Sequence, residues 1–302
     1  MQDQLRSSAI RICRGYGQAE LDEQYDARGT VPDIHPILRQ YADGSAAARA
    51  ALPCVLDVAY GAHADETLDI FPAPAPGAPV FVFVHGGYWR LLSKDDSSFM
   101  APAFTRAGAT VVAVNYSLAP AVTLDHIVDQ NRRALAWVHR HIDKHRGDPR
   151  RIHVCGSSAG GHLVGMLLAG GWHAEYGVPE SVVGSAASLS GLFDLEPIVH
   201  THVNGWMHLS PEDALRNSPV AHLPRTACPL IVSYGENETA EFKRQSDGYL
   251  RAWRARGFAG THVPMPGTNH FDIVLQLNDA ASPLTQAVFR QMGLINGMGE
   301  DV

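Results

Sequence analysis

Cysteine is scarce in this chain: four residues in 302, at Cys13, Cys54, Cys155 and Cys228, far apart and without a CxxC pair. That spacing argues against a zinc site or a disulfide framework and for reduced thiols. Long apolar runs are missing as well. No segment approaches the ~20 apolar residues of a membrane span, and the opening MQDQLRSSAIRICRGYG lacks the apolar stretch of a signal peptide. The cytoplasm is therefore the expected compartment. Positive charge is in deficit, with 24 Lys and Arg against 31 Asp and Glu and a net charge of -7. Without a basic stripe, neither nucleic acid nor a membrane is the expected partner, and chemistry on a small molecule is. There is no internal repeat and no low-complexity tract beyond the short connector PAPAPGAP.

What the chain does have is a regular alternation of strands and helices. At 302 residues and 45% hydrophobic it can bury a sizeable core, and one α/β domain over residues 1–302 suits that length. Residues 1–50 read as irregular and helical pieces, an arm laid over the domain. CVLDVAYG and TLDIF alternate like half-exposed strands and form an antiparallel lead-in. VFVFVH and TVVAVNY are continuous β-branched and aromatic runs, as strands covered on both faces require. A helical stretch lies between them, around 97–107. Residues 125–146 place Ile127, Val128, Leu135, Val138 and Ile142 at helical spacing, with Gly147 and Pro149 as the stop. RIHVCG, VVGSAASLSG, PLIVSYG and THVPMPG then read as strands, interleaved with the helices AGGHLVGMLLAG and EFKRQSDGYLRAWRARG, and helical segments close the chain. This order predicts a mostly parallel central sheet with helices on both faces and right-handed crossovers. Residues 192–220 break the alternation and are expected to form a small lid.

Chemistry concentrates at Gly156-Ser157-Ser158-Ala159-Gly160, a G-x-S-x-G match directly after RIHVC and directly before a helical pattern. Five small residues also suit a tight turn in which Ser157 or Ser158 caps the helix. With the strand before and the helix after, a sharp turn that lifts the hydroxyl of Ser158 clear of the backbone is the better reading, and Ser158 is the expected nucleophile. Its attack on a carbonyl creates an oxyanion that needs preorganised donors. His85-Gly86-Gly87-Tyr88-Trp89 ends the first buried strand, and its glycines let backbone N–H groups approach a substrate. The expected oxyanion hole is Gly86 or Gly87 together with Ala159. His85, Tyr88 and Trp89 are candidate substrate-pocket residues. His270, in PGTNHFDIV after the last strand, is the expected base. For the orienting acid, Glu236 and Glu238 both follow a buried strand and spacing leaves both open; Asp272 stands too near His270 in sequence for an easy bond. His200, His202 and His208 offer the rival, a metal site, but lack a matching carboxylate.

Taken together, LDEQYDAR, LDIF, HGGYWR, VNYSLAP, GSSAGGHL, ETAEFKRQS and NHFDIV cover nearly the whole chain in order, and the chain resembles the α/β-hydrolase fold, more narrowly the kynurenine formamidase (arylformamidase) family and its bacterial esterase relatives. The resemblance places the triad acid three residues before the Glu-Phe pair, at Glu238, where the animal members tend to carry Asp. It implies a serine hydrolase with a Ser158, His270, Glu238 triad that acts on a small aryl amide or ester, N-formylkynurenine first, with no metal and no organic cofactor. A carboxylesterase or aryl-acylamidase on the same scaffold is the alternative, and a non-catalytic binding protein the third. A homodimer is compatible with all three.

Overall fold

The computed structural model describes residues 11–295, so the first ten residues of the predicted arm lie outside it. The antiparallel lead-in forms as expected. β1 (Val55–Ala59) and β2 (Thr67–Phe71) pair antiparallel, with a bulge where Asp57 takes a positive φ, and β2 pairs antiparallel with β4 (Thr110–Val114). From there all neighbours are parallel: β3 (Ala78–Val84), β5 (Gly147–Ser157), β6 (Ser185–Leu189), β7 (Leu230–Ser233) and β8 (Gly260–His262), in the sheet order β1-β2-β4-β3-β5-β6-β7-β8.

Strand alternation builds two cores. Val80, Val82, Val84, Ile152, Val154, Leu230 and Val232 face one side of the sheet, where they meet α4 (Leu124–His141), α5 (Ala159–Leu168) and α8 (Ala240–Ala255). Phe81, Phe83, Val111, Cys155 and Ile231 face the other, against α3 (Ala101–Arg106) and α9 (Pro283–Met292). Successive side chains of a strand point to opposite faces, so a continuous apolar run feeds both layers. All ten residues of α5 are buried; nine are apolar or glycine, and His162 is satisfied by hydrogen bonds to Trp89 and the Asn217 carbonyl.

The arm is more ordered than its sequence suggests. Its α1 (Gln18–Tyr25) buries Leu21 and Tyr25 in the first core, and α2 (His35–Ala51) buries Tyr41 and Ala48 in the second. Between them the chain crosses from one face of the sheet to the other. In the 192–220 segment the helices are one or two turns long, α6 (Asn204–Met207) and α7 (Pro211–Arg216).

Several boundaries move. The helix expected to run to Arg146 leaves the α-form at His141 and tightens to a 3-10 turn over Ile142–His145. Gly147 already belongs to β5 because it pairs with Ala78; a Cβ there would sit 2.6 Å from both Ile142 and Val80. The last strand is only three residues long, since Pro264 and Pro266 bring no N–H to a ladder. Around 97–107 the α-helix proper is Ala101–Arg106, preceded by a 3-10 turn over Lys94–Asp96.

Candidate active site

The turn from β5 into α5 carries Ser158 at φ 57°, ψ -117°, a backbone state that an L residue holds only when its surroundings force it. Glycines make the turn sterically passable. A Cβ at Gly160 would lie 2.1 Å from the Val84 carbonyl oxygen, and one at Gly156 would lie 2.3 Å from the Gly160 oxygen. Strand, helix and the neighbouring strand end therefore converge on one point, with Ser158 above it. No side chain caps α5, so the N–H groups of its first turn, Ala159 included, have no partner within the helix.

The structure brings the three expected side chains together. His270 Nε2 lies 3.0 Å from Ser158 Oγ, and His270 Nδ1 lies 2.8 Å from Glu238 Oε2. All three residues are buried. The other oxygen of Glu238 accepts from Ser190 Oγ at 2.6 Å and from the Gly235 N–H at 2.5 Å, so the carboxylate is fixed at both ends. Phe242 packs against the imidazole at a ring separation of 4.4 Å. The rival acids are engaged elsewhere. Glu236 is exposed and accepts from the Gly267 N–H. Asp272 accepts from the N–H and side-chain amide of Asn269 and shapes the loop that presents His270.

The HGGYW turn faces the same point. A Cβ on Gly86 would lie 2.7 Å from the Ser157 carbonyl oxygen and 3.3 Å from the Ser158 Cβ. Gly87, Tyr88 and Trp89 then hold positive φ values of 96°, 51° and 55° in succession. Such a left-handed run is unfavourable for Tyr and Trp and is held by specific partners. The Gly87 carbonyl accepts from the N–H groups of Arg90 and Leu91, the Trp89 carbonyl from the Ala119 N–H, and Tyr88 Oη donates to the Tyr25 carbonyl. His85 stacks on Tyr116 with ring centres 4.0 Å apart, and its Nδ1 lies 2.9 Å from the Gly86 oxygen. Burial lowers its pKa to about 4, so the ring is neutral at pH 7 and Nδ1 donates to Gly86.

Around Ser158 and His270 lies a cavity of about 660 Å³, within the usual range for ligand pockets. Its wall is aromatic: Tyr25, Tyr41, Phe83, Tyr88, Phe99 and Trp206. Of the three expected pocket residues, His85 and Tyr88 line it, but Trp89 does not. The Trp89 indole is fully buried, edge-on to the Tyr88 ring, and its Nε1 donates to His162 Nδ1 at 3.2 Å. A second cavity of about 740 Å³, beside Cys228 and Trp253, contains none of the triad.

Sequence reasoning missed most of the wall. Tyr25, Leu38 and Tyr41 come from the arm, and Trp206 from the 192–220 segment. A signal existed in ETAEFKRQS, whose polar residues dock the arm. Glu241 accepts from Tyr25 Oη at 2.8 Å and is paired with Arg244; the Gln245 amide donates to Tyr25 Oη and to the Asp194 carbonyl, while its oxygen accepts from the Phe193 and Asp194 N–H groups. The three histidines of the metal alternative do not converge. His202 faces Asp22 of the arm at 3.3 Å and His200 faces Glu196 at 3.6 Å. Among the described residues no three potential ligands come together.

Comparison with known proteins adds a family to this geometry. A model of the alpha/beta hydrolase fold matches residues 81–184. Kynurenine formamidase of Danio rerio is 36% identical over 257 residues, which cover 83% of this chain and 86% of that protein. Esterase LipQ of Mycobacterium tuberculosis is 30% identical over 80% of this chain and 62% of its own length. Among solved structures, a Silicibacter protein assigned provisionally as a thioesterase superimposes with a TM-score of 0.79 at 28% identity, covering 88% of this chain and 98% of that one. An esterase of Pyrobaculum calidifontis shares the fold, with a TM-score of 0.68 at 19% identity over 87% of this chain and 94% of its own.

Proposed function

This chain belongs to the kynurenine formamidase family of α/β-hydrolases, and on that premise we propose that it is an arylformamidase that cleaves N-formylkynurenine by a serine mechanism. The observation that carries the reading is the unbroken chain of hydrogen-bond distances from Ser158 through His270 to Glu238, opening on an aromatic cavity. His270 Nε2 takes the proton of Ser158 as Oγ bonds to the formyl carbon, while Glu238 keeps Nδ1 protonated and steadies the imidazolium. The oxygen of the tetrahedral intermediate accepts from the N–H groups of Ala159 and of Gly86 or Gly87. Loss of one such donor costs about 100- to 1000-fold in kcat in a comparable hole. As the C–N bond breaks, His270 gives its proton to the departing aniline nitrogen. Water then loses a proton to His270 and attacks the formyl ester. Formate leaves, and Ser158 Oγ regains its proton.

In this reading one domain works in the cytoplasm on a small aryl amide, with residues 192–220 as lid and the arm as second wall, without metal or organic cofactor. The esterase LipQ relationship favours ester cleavage on the same site as the second reading. The two are separated by kcat/KM for N-formylkynurenine and for a short p-nitrophenyl ester, measured side by side with Ser158→Ala as the blank. A clear preference for the formamide is expected. Slow formamide turnover beside rapid ester cleavage would replace it with the esterase.

A further inference from the structure

From the mouth of this cavity we infer a site for a carboxylate: the guanidinium of Arg90 anchors the acidic end of the substrate, and so selects amino-acid-bearing anilides over neutral ones. The inference rests on the formamidase reading and adds to it a specificity-determining residue. Arg90 is exposed and lines the cavity that holds Ser158 and His270. Its guanidinium lies over the Trp206 ring, 4.8 Å from the centroid. Trp206 is itself held, its Nε1 donating to the Tyr88 carbonyl at 3.3 Å with its ring edge-on to Tyr88. The Arg90 N–H donates to the Gly87 carbonyl. The cation is thus tied to the turn that carries the candidate oxyanion donors, and it is preorganised rather than waving in solvent.

Its charge is also unspent. Among the described residues Arg14, Arg133, Arg150, Arg216 and Arg244 pair with carboxylates, and Arg90 does not. A guanidinium stacked by its face on an indole keeps its N–H edge free, and that edge matches a carboxylate with two parallel hydrogen bonds. Of the other bases on the cavity wall, His202 already faces Asp22, and Arg28 is exposed without such a stack. Asp26 and Asp96 line the same cavity, so its wall carries both signs of charge, as an α-amino acid requires.

The test compares two substrates in one enzyme. N-formylkynurenine carries the amino-acid group, and formanilide carries the same formamide on a neutral ring. In Arg90→Gln the ratio of kcat/KM for N-formylkynurenine to that for formanilide is expected to fall at least tenfold, with the loss in KM. Arg90→Lys is expected to recover part of it, since a point charge replaces the fork. Formanilide turnover reports that the variant is folded. A ratio that stays the same in Arg90→Gln, or one that falls in Arg28→Gln instead, would overturn the anchor and leave the formamidase reading standing. Failure of the unaltered protein to cleave either formamide would overturn both.

Discussion

Replacing Glu238 by Gln removes one charge and almost no volume, and the structure dictates how the new amide must sit. Two donors, Ser190 Oγ at 2.6 Å and the Gly235 N–H at 2.5 Å, already point at Oε1. The amide oxygen must take that place or leave both donors buried without an acceptor, which costs about 1–3 kcal/mol each. The NH2 group is then forced toward His270 Nδ1, where the carboxylate oxygen stood at 2.8 Å. Two donors cannot face each other, so the imidazole takes the tautomer with its proton on Nε2, pointing at Ser158 Oγ. In that state it accepts no proton from the serine. The equivalent change in a serine protease triad lowers kcat about 10000-fold with the geometry intact, and a loss of about 1000- to 10000-fold is expected here, about 4–5 kcal/mol of transition-state stabilisation. Steady-state hydrolysis of N-formylkynurenine measures it, with circular dichroism to show the fold retained. Glu236→Gln, on an exposed side chain that among the described residues bonds only the Gly267 N–H, should change kcat less than about threefold. A Glu238→Gln enzyme within tenfold of the parent, or the reverse ranking of the two variants, would refute the reasoning.

Further expectations concern the turn and the buried histidines. Gly160→Ala would place a methyl 2.1 Å from the Val84 carbonyl oxygen, so it should both lower the urea midpoint and abolish turnover; a variant of parental stability and activity would contradict the close approach. His85, His153 and His162 are buried, which lowers each pKa to about 4. Between pH 6.5 and 4 the unfolded chain binds protons that the native one refuses, so their contribution is complete above pH 6.5 and is lost as the pH falls, by up to about 1.4 kcal/mol per histidine per pH unit. Urea midpoints that do not change over that window, or an NMR titration that puts these rings near 6.5, would contradict it.

Much of this was legible before any coordinates. The continuous apolar run VFVFV and the G-x-S-x-G turn are local, and local pattern is what a sequence carries directly; the parallel sheet and the place of Ser158 follow from them. Glu238 needed more than spacing. What separates it from Glu236 is that its loop folds it back onto Ser190 and Gly235, residues with no sequence mark. Trp89 was misplaced because a pocket was read from adjacency: through three successive positive φ values Tyr88 reaches the cavity while Trp89 packs into the core with its ring edge-on to Tyr88, an arrangement that the sequence does not advertise. The arm and Trp206 escaped for a different reason. Their contacts with the site cross as many as 230 residues of chain, as when Tyr41 Oη donates to the Phe271 carbonyl, and such contacts leave no periodic trace.

The central claim is that Ser158 is the nucleophile. Treatment with a fluorophosphonate, followed by intact-mass and peptide mass spectrometry alongside residual activity, tests it most directly. One adduct per chain on Ser158, formed in step with loss of N-formylkynurenine hydrolysis and absent from Ser158→Ala, is the predicted result. Full inactivation with the adduct elsewhere, or a Ser158→Ala protein that still turns over the formamide, would contradict the account.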